Sequence, residues 1–568
     1  MLEAVSRFCP AILEFVLSAY GAPSVLWAGD SHIISAEGVQ QGDPLGPLLF
    51  CMALDAPLKE LQTEFISGYL DDVGMGDSVP RLIEQIHAIE TSAALIGLRL
   101  NHSKCEIVGL DPSFRQEWSN SGLNFKECSI EESFLLGSPL STAGVDLALS
   151  ESLAQLERVK GRLLKLPAHE AFFLLKNSFG IPRLQFLLRT APCALSKETL
   201  KFDESIRELL SSVVNLKITD SSWIQASLPV RWGGIGIRRA EILSPSAFLA
   251  STSASAHLLS CLVPGVVASF HDQVRDDVLA RWVTLSGTAP LSGSDACSQR
   301  AWDDGISSAI CSSLLVQAGS VDQARLRASI APGSGSWLQA LPCANLGLRL
   351  GSEELRIAVG LRIGAPLVRA HRCVCGAEVE TNGHHGLACR RSAGRHRRHA
   401  MANDVIIRAV RSVESHAELE PTRLLRGDGK RPDGATLDPW RSGRYLVWDF
   451  TCPDTLAPSH LSLSSQAAGS AAAQAEALKN TKYAELVASG DYIFAPIAIE
   501  TLGVWGQSAL DISAEIGRRM AERTGELRSL SFLRQRLGIA VQRGNAAAVI
   551  GTIPWGDTRN LLSSDYLG

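Results

Sequence analysis

The segment Gly68-Tyr69-Leu70-Asp71-Asp72-Val73 constrains this chain more than any other stretch of it. Two adjacent carboxylates fall at a tight turn between apolar stretches. An unpaired buried Asp is costly there, whereas a hard divalent cation that takes oxygen ligands suits the pair. Upstream stands Gly38-Val39-Gln40-Gln41-Gly42-Asp43-Pro44-Leu45-Gly46-Pro47. Its glycines let the backbone approach a ligand closely, and Leu48, Leu49 and Met52 after it have the spacing of a helix.

In this order the two segments closely resemble motifs B and C of reverse transcriptases, specifically those of non-LTR retrotransposons. The resemblance implies a polymerase metal site in which Asp71 and Asp72 hold Mg²⁺ (or Mn²⁺), with Gln40 and Gly42 at the nucleic acid. It continues through Gly97-Leu98-Arg99-Leu100-Asn101-His102-Ser103-Lys104-Cys105-Glu106, similar to motif D and placing Lys104 at the nucleic acid, and Phe134-Leu135-Leu136-Gly137-Ser138-Pro139-Leu140, similar to motif E. The chain opens on an amphipathic pattern (Leu2, Val5, Phe8, Ile12, Val16, Ala19), read as one helix. A strand pair follows, Ser24 to Ala28 and Ile33 to Ala36, about a Gly29-Asp30 turn. In the family that helix follows motif A, the source of the other metal-binding Asp, so motif A is expected to be missing. Asp30 and Asp43 are the nearby carboxylates, and neither is expected on a strand beside Tyr69 to Asp72. The polymerase half is therefore expected to be inactive as given.

With 568 residues, 46% of them hydrophobic, the chain can build several cores. It has no apolar run of the roughly 18 residues needed to span a bilayer, and no signal-peptide pattern at its N-terminus. An intracellular protein is expected, nuclear if it meets a DNA target, with no membrane partner. A net charge of -5 argues against wholesale coating of nucleic acid, so binding must use local basic patches. One such patch holds Arg390, Arg391, Arg395, Arg397 and Arg398, with His396 and His399 among them.

The patch follows Cys373-Val374-Cys375, His384-His385 and Cys389. Three thiols and one imidazole can close a tetrahedral Zn²⁺ site, and Gly376 and Gly383 allow the sharp turns it needs. Either His384 or His385 can be the fourth ligand. The position is similar to that of the CCHC knuckle lying between polymerase and nuclease in the restriction-like-endonuclease class of these elements.

Beyond the patch, Arg431-Pro432-Asp433-Gly434, a turn over Arg441 to Arg444, and the strand Tyr445-Leu446-Val447-Trp448-Asp449-Phe450-Thr451 bring two carboxylates toward one sheet edge, where they can hold Mg²⁺ against a phosphate. This resembles the PD-(D/E)XK nucleases, with Asp433 and Asp449 as the acids. Thr451 stands where the family has Lys. A helix bearing Glu476, Lys479, Lys482 and Tyr483 can supply the cation, Lys482 first and Lys479 second. Glu500, at the end of an apolar run over Tyr492 to Ile499, is read as a strand-end charge. A helix over Asn403 to Val413 and a strand over Leu419 to Leu425 complete an α-β-β-α-β order.

The expected architecture is multidomain α/β. A partial reverse-transcriptase palm (1–140) leads to a helical thumb and linker (141–340), then a linker with zinc knuckle and basic patch (341–400), then a restriction-like endonuclease and tail (401–568). Leu228 to Arg238, glycine-rich around Trp232, is read as a packing turn. The partners implied are a DNA target and element RNA. The rival readings are a non-catalytic nucleic-acid-binding remnant and a purely structural relic.

Overall fold

The computed structural model describes residues 1–262, 272–392, 394–413, 416–422, 424 and 431–554. Two compact units result, one holding Met1–Val145 and the other Asp146–His257 and the bulk of the chain beyond.

In the first unit the expected opening helix is broken. Leu2–Phe8 and Leu13–Tyr20 flank a 3₁₀ turn at Pro10–Ile12. Pro10 has no N–H to donate, and its ring would clash with the preceding turn of a continuous helix. Val5 and Val16 still meet Leu49 and Met52 of the Gly46–Lys59 helix in one small core. Ser24–Ala28 pairs antiparallel with Ser31–Ser35, and Phe65–Tyr69 with Asp72–Gly76. The Val79–Leu95 helix follows, with Pro80 in its first turn, where a missing N–H costs nothing.

The second unit is helical from Asp146 to the Ser352–Ile363 helix. Within it, Leu228 to Arg238 is the packing turn expected. Arg362 donates to Gly234 O (2.9 Å) and Gln225 to Gly233 O (3.0 Å), while Trp232 Nε1 reaches Asp304 (2.6 Å). Buried His169 accepts the Leu350 N–H at Nδ1 (2.9 Å), and burial, reinforced by the Arg543 charge, pulls its pKa down to about 4. The folded state thus prefers the neutral ring. This stability is complete above the unfolded pKa near 6.5 and is lost as pH falls from there toward 4, amounting to about 2 kcal/mol between pH 7 and pH 5. His169→Gln keeps an acceptor without a titrating ring, so denaturant melts at the two pH values should show the variant losing less than the wild type.

A four-stranded sheet orders the C-terminal half: Ala417–Leu419, Gly434–Thr436, Tyr445–Thr451 and Tyr492–Ala498, the first two contacts antiparallel and the last parallel. The sheet has one strand more than the expected α-β-β-α-β order. The strand foreseen at 419–425 lies earlier, and residues 423 and 425 fall outside the described residues. Pro496 is tolerated because its strand is at the sheet edge, where a ladder donor can be spared.

Side chains of Tyr445–Thr451 alternate between faces. Leu446, Trp448 and Phe450 join a core with the Gly394–Arg411, Gln507–Thr524 and Ser529–Ile550 helices. Val447 packs with Tyr483 and Leu486 on the other face. A Cβ at Gly434 would collide with the Trp448 ring, so the glycine of the Arg-Pro-Asp-Gly turn is a packing requirement. Among the described residues no helix is long and apolar enough to cross a membrane.

Candidate metal centres

In the first unit the Phe65–Tyr69 hairpin pairs Tyr69 with Asp72, leaving Leu70 at φ 57 and Asp71 in the turn. Asp71 and Asp72 are both exposed, and among the described residues no third carboxylate gathers with them. Asp43, the nearest alternative foreseen, is taken by the Tyr20 hydroxyl and the Leu45 N–H. The Gln40 amide donates to Ser24 Oγ (3.0 Å), Gly42 turns the backbone at φ 95, and Lys104 is exposed.

The cysteine cluster forms on a short ribbon, His371–Arg372 paired with Glu378–Val379, and on the His385–Ala388 helix. Gly376 (φ 95) and Gly383 (φ 67) make the two turns. Cys373, Cys375, Cys389 and His385 have donor atoms all within 4.8 Å of one another. Cys373 Sγ lies 3.8 Å from Cys389 Sγ, and Cys375 Sγ lies 3.2 Å from His385 Nε2. Zn–S bonds near 2.3 Å in a tetrahedron place sulfurs roughly 3.8 Å apart, so the donor set fits zinc. The open choice of histidine resolves to His385. His384 turns away, its Nε2 buried without a hydrogen-bond partner and its pKa lowered by burial.

Behind the cluster the basic run divides. Arg390, Arg391 and Arg395 are exposed, and Arg397 is exposed near Glu354 (3.8 Å). Arg398 corrects the sequence reading. It is 2% exposed and donates to Asn545 Oδ1 and Leu387 O, both at 3.0 Å, so no phosphate reaches it. Its cavity exists because Gly544 has no Cβ.

At the sheet edge, Asp433 immediately precedes its strand and Asp449 lies near the end of the next. Asp433 Oδ2 accepts the Phe450 N–H (2.6 Å) and lies 2.9 Å from His399 Nε2. Burial pushes the Asp433 carboxyl up, but His399, Asn403 and the Phe450 N–H outweigh it and hold it below the ordinary carboxylate range. Asp449, 2% exposed, receives Lys479 Nζ at Oδ1 (2.6 Å), and its Oδ2 lies 2.8 Å from the Tyr483 hydroxyl. Lys482 Nζ is 3.9 Å from Asp449 Oδ2 and donates to Tyr483 Oη (3.0 Å). The helix phase therefore gives Lys479 the direct contact that the sequence reading ranked second.

Glu476 turns elsewhere, accepting Ser508 and Ala509 N–H groups at the start of the Gln507–Thr524 helix. Glu500 is fully buried and accepts Ala472 N–H (3.0 Å) and Thr455 Oγ1 (2.9 Å), which caps the Ser470–Lys482 helix that carries both lysines. The sequence reading gave His399 and Asn403 no role at this edge. Their i, i+4 spacing, which puts both on one helix face, was the available signal.

Residues 6–127 match the family described as reverse transcriptase (RNA-dependent DNA polymerase). That range includes Gln40, Gly42, Asp71, Asp72 and Lys104. The chain is also 24% identical over 502 residues to the retrotransposable element SLACS 132 kDa protein of Trypanosoma brucei gambiense, an alignment that covers 84% of this chain. It spans only 36% of that relative's length. The two likenesses converge with the order of motifs along the chain, and together they support a non-LTR retrotransposon reverse transcriptase.

Proposed function

We propose that the C-terminal part of this chain is a Mg²⁺-dependent DNA-nicking endonuclease of PD-(D/E)XK type, joined through a zinc knuckle to the reverse-transcriptase domain. The observation that carries the reading is the sheet edge. Asp433 is tied to the Phe450 N–H directly beside Asp449, and Asp449 carries Lys479 at 2.6 Å. A buried carboxylate braced by a lysine and a tyrosine is costly to build as a mere fold element. Beside it, the Asp433 carboxyl is held below the ordinary range, and perturbed acids gather at functional sites.

Asp433 and Asp449 would hold the ion. A divalent metal supplies Lewis-acid polarisation of the phosphate and of its bound water. Lys479, 26% exposed on its side chain, stabilises charge developing on phosphate oxygens, and Lys482 keeps Tyr483 and the Asp449 carboxylate in place. Tyr483, fully buried, braces the acid through its hydroxyl, which also lies 2.8 Å from Arg431 O. Arg390, Arg391 and Arg395 supply phosphate contacts that position the DNA without reading its sequence. A chromosomal target would place the protein in the nucleus.

Nicking of supercoiled DNA with Mg²⁺ or Mn²⁺ tests the reading. No cleavage by the wild-type chain would favour the non-catalytic binding remnant. We further propose that this chain alone carries out little templated synthesis, because Asp71 and Asp72 have no third carboxylate beside them among the described residues. Primer extension on an RNA template checks this, and robust extension lost in Asp71→Asn would refute it.

A further inference from the structure

We propose that His399 is a positioning residue of the acidic sheet edge, orienting the Asp433 carboxylate to receive a divalent ion. The inference rests on the nuclease reading for that ion.

Its basis is the way two neighbouring residues on the Gly394–Arg411 helix are used. Arg398 points inward and ties the helix on two sides: to Leu387 O of the cysteine cluster's short helix, and to Asn545 of the Ser529–Ile550 helix. Asn545 continues the chain of hydrogen bonds to Thr501 O (2.7 Å). The N-terminal part of the helix is therefore locked. The next residue, about 100° around the helix axis, is His399, and it faces Asp433.

The His399 ring is held on several sides. Nε2 lies 2.9 Å from Asp433 Oδ2, and Nδ1 lies 3.4 Å from Asn403 Nδ2. The ring meets Phe450 edge-on, with centroids 6.0 Å apart. Asn403 is fixed in turn because its Oδ1 accepts the buried Trp448 Nε1 (3.1 Å). With the Asn403 amide facing Nδ1, it is Nε2 that donates to Asp433. A single carboxylate oxygen thus receives both the His399 and the Phe450 N–H. An ordinary exposed ion pair lacks such bracing and contributes little. Partners that hold a metal-binding group from behind are worth roughly 10- to 100-fold in metal affinity.

The test measures Mn²⁺ binding to the full chain by electron paramagnetic resonance, taking the site lost in Asp433→Asn as the one of interest. His399→Ala should weaken that site by roughly 10- to 100-fold, with melting temperature and zinc content unchanged. His399→Gln, whose amide can donate to the same oxygen, should recover most of the affinity. In nicking assays His399→Ala should lower kcat with KM for DNA little changed. Asp433-dependent Mn²⁺ binding that is indifferent to His399 overturns the positioning role and leaves the nuclease reading standing. Binding that follows His399 in a chain that never nicks DNA removes the nuclease reading alone. No Asp433-dependent binding at all overturns both.

Discussion

Asp449→Asn is expected to abolish metal-dependent nicking, a loss of about 10³-fold or more, corresponding to at least ~4 kcal/mol of transition-state stabilisation. Asn is the informative replacement. Asp449 is nearly fully buried between Lys479 and Tyr483, and a shorter apolar residue would strand the lysine without its partner. The amide keeps an oxygen for one of these donors while it removes the charge that an ion requires. Asp433→Asn should lose activity to a similar degree, since a single remaining carboxylate cannot place an ion and its water together. DNA binding should persist in both variants, because Arg390, Arg391 and Arg395 are untouched. A filter-binding assay beside the nicking gel separates the two effects. Unchanged nicking in both variants rejects the site.

The second large effect concerns the cysteine cluster. Purified protein should contain about one zinc per chain, and stripping it should unfold the segment from His371 to Cys389 locally, because binding energies of about 10–16 kcal/mol in zinc-finger peptides are folding energies. Hydrogen exchange across that segment reports the loosening. Cobalt substitution should give the absorption of a three-sulfur, one-nitrogen tetrahedral site. The histidines separate cleanly: His385→Ala should lose the metal, and His384→Ala should retain it, since only His385 lies among the thiols. A metal-free preparation, or loss of metal in His384→Ala alone, would reject the assignment.

What could be read in the sequence was mostly local. The Tyr69 to Asp72 turn and the cysteine spacing are set by residues close in the chain, and the structure places them where the patterns indicate. The opening helix was misjudged because its apolar spacing outweighed Pro10, a local signal that was available. The harder cases are set at a distance. Nothing near Arg398 reveals that Gly544 and Asn545 will bury it, so the sequence offers it as one more arginine of the nucleic-acid-binding patch. The order of Lys479 and Lys482 depends on how their helix is phased against the sheet, which Glu500 settles through its cap on Ala472. The meeting of His399 with Asp433 needs the helix and the hairpin packed together before it exists.

The Gly394–Arg411 helix also bears on modularity. It begins five residues after Cys389, is clamped to the cysteine cluster by Arg398, and brings His399 and Asn403 to the acidic edge within its next turns. The small cysteine element and the sheet with the acidic edge therefore share one rigid rod, with the Ser529–Ile550 helix as a common bed beneath both. A cut near residue 400, at the boundary expected from the sequence, would divide that rod and leave Asp433 without its brace. The two parts should accordingly be exchanged, expressed or lost as a single piece, and a recombination event that swapped one without the other would have to rebuild the joint.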